Sequence, residues 1–214
     1  MKKSVFFLFV LLAGFAIVGC SNKGSDLERI NREQGQTIKG LNREIERLNS
    51  ELEELSKSKD DLSKTKAELE RKLSGELGAG NMSLSMQDRG LVVTVLDRIL
   101  FSSGKATLKE SAKESLDKVA DILNGKISNN MVYVEGHTDN DPIVRSGWRS
   151  NWELSTARAT EVLHYFVDDR SLNPKRIAAT GYGQFHPVAS NNTESGKLKN
   201  RRVEIVISPK KIGG

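Results

Sequence analysis

Leucine returns at one heptad position along the first third of the chain: Leu27, Leu41, Leu48, Leu55, Leu62 and Leu69, with Gln34 as the gap. Four residues on from each of these positions stand Asn31, Ile38, Ile45, Leu52, Lys59, Lys66 and Leu73. Leucine at d facing asparagine, isoleucine or lysine at a predicts a coiled coil, with a parallel dimer favoured and a trimer as the other candidate. A single charged amphipathic helix is the plainer alternative, because Gly35, Gly40, Lys59 and Lys66 weaken the seam. In both readings residues 27–76 are a spacer, and about 50 helical residues at about 1.5 Å each would reach on the order of 75 Å. The cluster Gly75-Glu-Leu-Gly78-Ala-Gly80 breaks the helix and marks a domain boundary.

Past Gly80 the period changes. Leu91 to Leu96 is a β-branched run, Val132 and Val134 alternate with Tyr133, and Val203, Ile205 and Ile207 recur at period two, which predicts strands. Leu116, Val119, Ala120 and Leu123 share one helical face, and Trp152, Ala159, Leu163 and Phe166 suggest another. The order β-helix-β-helix-β with a late strand predicts an α/β domain over residues 81–210: an α+β sandwich with helices packed on a mixed sheet, preceded by the helical stalk.

The N-terminus is different material. Lys2 and Lys3 precede an apolar stretch from Val5 to Val18, the plan of a secretory signal over residues 1–19 and too short for an ordinary spanning helix. It ends in Ile17-Val18-Gly19-Cys20, which resembles a bacterial lipobox. The resemblance implies cleavage before Cys20, several acyl chains on that cysteine for stable anchoring, and a short linker over residues 20–26. Ser21, where an aspartate would signal inner-membrane retention in enterobacteria, points to the outer membrane. Cys20 is the one cysteine, so the chain has no internal disulfide and no multi-cysteine metal site. The formal charge of +5 is spread among acids rather than gathered in a stripe, which argues against nucleic acid as a partner.

The densest chemical signal is Gly136-His-Thr-Asp139, directly after a predicted strand, followed by Ser150-Asn-Trp-Glu-Leu-Ser-Thr-Ala-Arg158 opening a helix. Asn151, Leu154, Ser155 and Arg158 fall on one face of that helix. Gly136 is expected to let the chain turn sharply out of the strand, presenting Asp139 where Arg158 can meet it. A carboxylate and a guanidinium at one mouth suit a zwitterion, the acid for an ammonium and the planar fork for a carboxylate.

Gly136-His-Thr-Asp139, Asn151-x-x-Leu-Ser-x-x-Arg158, Gly181-Tyr-Gly183 and Asn200-Arg-Arg-Val-Glu204 resemble, in order, the four signature blocks of the OmpA-like peptidoglycan-binding domain, over about residues 85 to 208. The resemblance implies that Asp139 and Arg158 bind the diaminopimelate side chain of the wall peptide. It implies further that Thr138, Asn151 and Leu154 line the same groove and that Asn200 and Arg201 sit near its rim. Gly196-Lys197 stands where the family usually has Gly-Arg, which loses a bidentate contact. The segment Asp141 to Trp148 is closer to the flagellar motor B protein version of the domain.

An enzyme is not expected. His137 with Asp139 is short of a metal site, which wants three or more ligands, and His164 and His186 add no matching spacing. His137, Asp139 and Ser155 lack the strained nucleophile turn of a hydrolase. A structural hydrogen-bonding role is expected for His137, and an internal salt bridge to Glu161 or Asp139 is the bland alternative for Arg158. Trp148 and Trp152 are equally open to stacking or core roles. An ion-driven stator would need an acid in its membrane helix, and Val5 to Val18 has none. The expected function is therefore a cell outer-membrane lipoprotein with its domain in the periplasm, tethering the membrane to peptidoglycan without a cofactor. It is expected to self-associate through the coiled coil, and the alternative is an adaptor whose stalk recruits an envelope partner.

Overall fold

The computed structural model describes residues 2–144 and 146–209, with side chains from residue 24 onward. The side chains of the signal segment and of Cys20 lie outside that description. Helix α1 runs Lys2–Lys72, and no helix among the described residues is long and apolar enough to cross a membrane. The chain forms two units, Met1–Glu53 and Glu54–Gly214. The first is helix alone. Its apolar residues Leu27, Ile38, Leu41, Ile45, Leu48 and Leu52 are all exposed.

The second unit holds the mixed sheet expected from the sequence. Its elements follow in the order α2 (Ser74–Gly78), β1 (Met82–Gln87), β2 (Gly90–Leu96), α3 (Asp97–Leu100), α4 (Glu110–Asn124), β3 (Val132–His137), α5 (Asn151–His164), β4 (Ile177–Gly181), α6 (Glu194–Asn200) and β5 (Arg202–Ile207). The strands lie in the order β1-β2-β5-β3-β4. Only the β3–β4 pair is parallel. Two strands were not read from the sequence, β1 and β4, and both are edge strands.

Alternation along each strand sets the two faces of the sheet. Leu91, Val93 and Val95 of β2, Val203, Ile205 and Ile207 of β5, and Val132 and Val134 of β3 enter one core with Leu116, Val119 and Leu123 of α4 and Ala159 and Val162 of α5. Leu62, Leu69 and Leu73 join the same core, each at most 1% exposed. The compact unit therefore begins well before Gly80, and the last turns of α1 belong to it. Lys126 ties this stretch through Glu68 at 2.5 Å, and Ser115 and Lys118 of α4 hold Glu76 of α2 at 2.8 and 3.2 Å.

Two glycines bring α5 against the sheet. A β-carbon on Gly136 would lie 2.1 Å from the Ser155 carbonyl oxygen, and one on Gly181 would lie 2.2 Å from Thr156 Oγ1. Gly136 is not among the glycines with positive φ, so close helix approach, not the sharp turn read from the sequence, is what requires glycine there.

Candidate functional site

The C-terminal end of β3 and the N-terminal half of α5 open onto a groove of about 1000 Å³. Asp97, the Phe101–Lys105 loop, Thr138, Asp139, Asn151, Leu154, Arg158 and Arg201 are among its lining residues. Five of the residues singled out for the wall peptide thus meet at one place, together with Arg201 from the motif at the start of β5. Asp139 is 5% exposed and Arg158 3%.

The two charges do not pair with each other. Arg158 donates from Nη1 to Asp97 Oδ1 at 2.9 Å and from Nε to the Lys105 carbonyl at 3.0 Å, with its guanidinium 5.2 Å from the centre of the Phe101 ring. Asp139 accepts a charged hydrogen bond from Arg201 and, at 3.2 Å, the backbone N–H of Asp141. The partner of Arg158 is therefore neither Glu161 nor Asp139, and Asp97 is a site residue that sequence reasoning missed. It stands one residue past β2 with no motif around it, and its own N–H, bonded to the Arg201 carbonyl at 2.9 Å, fixes it across the groove. Burial pushes the Asp97 carboxyl up to about 6 even though Arg158 and then Arg201 draw it down. Burial likewise presses Arg158 below its ordinary value, opposed chiefly by Asp97.

The rest of the groove is braced from beneath. Asn151 Nδ2 reaches the carbonyls of Asp139 and Asp141 at 3.4 and 3.0 Å and Gln184 Oε1 at 3.0 Å. Thr138 donates its hydroxyl to the Asp139 carbonyl and its N–H to Gly183, at 2.8 and 2.9 Å. Ser150 caps α5 by accepting from the Glu153 N–H. Lys197 keeps a single ion pair, 2.7 Å to Asp141, in place of a fork. Trp148 donates its indole N–H to the Gly104 carbonyl at 2.9 Å and so pins the rim loop, whereas Trp152 stacks on Phe185 and is half-exposed.

Asn200, expected near the rim, is not among the residues that line the groove. It is fully buried and fully used: Oδ1 accepts the N–H groups of Val188 and Ala189 at 2.8 and 3.0 Å, and Nδ2 donates to the Ala189 carbonyl and to Asn191 at 2.9 and 2.7 Å. Its work is to hold the loop before α6.

On the opposite face of the sheet, Glu135, His137 and Glu204 bring possible ligand atoms within 4.8 Å of one another. Both carboxylates are already paired, with Arg89 bridging them and Arg202 Nε 2.6 Å from Glu204. A dication would have to enter beside two guanidiniums. His137 is not the structural hydrogen-bonder expected, because both ring nitrogens are buried without a partner and the ring stacks on Tyr182 at 5.2 Å. Burial, and then Arg202, push it down to about 3. Ser155 is equally far from nucleophilic duty, since its buried hydroxyl accepts the Gly183 N–H at 2.9 Å and donates to the Trp152 carbonyl.

Residues 100–201 match the OmpA family. The C-terminal domain of this chain belongs to that family. OmpA-like domains bind peptidoglycan. Motility protein B of Bacillus subtilis (strain 168) is 39% identical over 129 residues, which are 60% of this chain and 49% of that protein. The probable lipoprotein YiaD of Escherichia coli (strain K12) is 32% identical over 65% of this chain and 61% of its own length. Among solved structures, the cell wall anchor of the T6SS from Pseudomonas aeruginosa superposes with a TM-score of 0.60 at 33% identity, covering 66% of this chain and 96% of that one. The chain spans about half the length of the first curated relatives it matches.

Proposed function

We propose that this chain is a lipoprotein of the outer membrane whose OmpA-like domain holds the diaminopimelate of peptidoglycan stem peptides and so tethers membrane to wall without a covalent bond. The observation that carries the reading is one groove offering two buried, oppositely charged side chains, Asp139 and Arg158, each steadied by a partner of opposite sign. The free end of diaminopimelate bears an ammonium and a carboxylate on one carbon. The ammonium is assigned to Asp139, and the carboxylate to the guanidinium edge that Arg158 does not spend on Asp97 and Lys105. Thr138, Asn151, Leu154 and Arg201 shape the groove around them. Lipid on Cys20 supplies the membrane end, residues 27–53 supply distance, and the likeness to a probable lipoprotein supports the pairing of anchor with domain.

The test uses the full chain with Cys20→Ser, so that it stays out of membranes, sedimented with insoluble diaminopimelate-type peptidoglycan. The unaltered groove should sediment, and Asp139→Asn and Arg158→Lys, each shown to be folded, should stay in the supernatant. Retention of both folded variants on the wall, or failure of the unaltered groove to bind, overturns the assignment. A fragment starting at Gly80 is unsuitable because it strips Leu62, Leu69 and Leu73 from the core.

A further inference from the structure

The leucine heptads continue unbroken in register through both units, yet two different faces of the helix are used. In the first unit Ile38, Leu41, Ile45, Leu48 and Leu52, the a and d positions, are between 44% and 64% exposed. In the second unit the buried residues are Ser58, Leu62, Thr65 and Leu69, which occupy g and d. Of the a positions there, Lys59 and Lys66 are not buried, and Leu73, just past the end of α1, is. Small g residues admit the helix closely to its own domain. The apolar seam thus shifts by one heptad position after Leu55, and the lysines that spoil the coiled-coil pattern mark the shift.

We propose that residues 27–55 form a parallel two-stranded coiled coil with a second copy of this chain, and that this seam ends at Lys59. The inference rests on the self-association expected of the stalk, commits to the parallel dimer over the trimer, and adds where the seam ends. β-Branched Ile38 and Ile45 at a, with Leu41, Leu48 and Leu55 at d, favour two strands. In a parallel pair Asn31 meets Asn31 and Gln34 meets Gln34, so two adjacent polar layers satisfy themselves, whereas an antiparallel pair sets each against apolar residues. Charge gives the same direction. The g positions carry Glu44 and Glu51, and the e positions facing them across a parallel seam are Asn49 and Ser56. An antiparallel pair centred on this stretch, with Gln34 against Leu52, sets Glu44 against Glu44. Glu44 and Glu51 are already bound within their own helix by Arg47, at 2.5 Å to Glu44. Beyond Leu55 a parallel partner would place Lys59 opposite Lys59, and the leucines at d are already covered.

Disulfide formation in the full chain carrying Cys20→Ser reads extent and direction together. Gln34→Cys and Leu48→Cys should each yield a disulfide-linked dimer, on the order of tenfold above Ser50→Cys on the outer face. Leu62→Cys should stay at the Ser50→Cys level. In an antiparallel pair the two copies of residue 34 would lie roughly 30 Å apart and could not link. The proposal is overturned by absence of the Gln34→Cys dimer, by Leu62→Cys linking as readily as Leu48→Cys, by equal linking at Ser50→Cys, or by a trimer on chemical cross-linking. Wall binding is read separately: Asp139→Asn, introduced beside Leu48→Cys, should abolish sedimentation with peptidoglycan and leave the disulfide yield unchanged.

Discussion

Replacing His137 with phenylalanine should remove a large part of the acid sensitivity of the domain. The ring is 4% exposed, neither nitrogen has a hydrogen-bond partner, and burial with Arg202 beside it drops its pKa from an ordinary 6.5 to about 3. A group depressed in the folded state gives its full contribution above its unfolded pKa and loses it as pH falls toward the folded one, so the affected window is pH 6.5 down to about 3. Each pH unit inside that window costs about 1.4 kcal/mol, which gives a loss of about 2.5 kcal/mol between pH 7 and pH 4.5. His137→Phe keeps the stack on Tyr182 and deletes the titration along with two unsatisfied polar atoms, so at pH 7 it should be at least as stable as the parent. Asp97 acts in the reverse sense, because its raised pKa makes it stabilising below about 4 and progressively less so up to about 6. That contribution is common to both proteins and cancels in their difference. Urea unfolding of parent and variant at pH 7 and pH 4.5 gives that difference directly. If it shifts by less than about 0.5 kcal/mol between the two pH values, burial does not hold His137 neutral and the reasoning is refuted.

Two substitutions test the packing that positions the groove. Gly136→Ala should cost more than about 3 kcal/mol or abolish soluble protein, because the new methyl meets a backbone oxygen at 2.1 Å; a loss below about 1 kcal/mol in chemical denaturation would show that α5 can retreat. Leu69→Ala should cost about 2 to 5 kcal/mol in the same assay, although it lies upstream of the glycine cluster; a negligible cost would restore the boundary at Gly80.

The inner strands were legible because a β-branched run, as in β2, or apolar alternation, as in β3 and β5, has one economical solution. β4, Ile-Ala-Ala-Thr-Gly, sits at an edge and carries too little side chain to alternate, and β1 exposes half of Met-Ser-Leu-Ser-Met-Gln. Helical period along α1 was equally plain, yet period identifies a stripe and not what covers it, so the leucines at 62, 69 and 73 read as more coiled coil. In the site, spacing on α5 and the Gly-His-Thr-Asp run located Asp139 and Arg158. Their partners came from elsewhere in the chain, Asp97 and Arg201, and no local pattern relates residue 97 to residue 158. Asn200 shows the opposite limit: a motif names a residue without saying whether it faces ligand or loop.

The two ion pairs in the groove have a consequence for what it admits. Asp97 with Arg158 and Asp139 with Arg201 close the cavity electrically before anything enters. An incoming group that carries one sign leaves the opposite half of this quartet without compensation where Asp139 and Arg158 are almost fully buried. One bearing both signs on neighbouring atoms extends the alternation from four charges to six. No net charge then moves from solvent to protein, so occupancy should hardly respond to ionic strength, and a plain amine or a plain acid should compete poorly. Discrimination would come from the ligand's internal separation of charge rather than from its size.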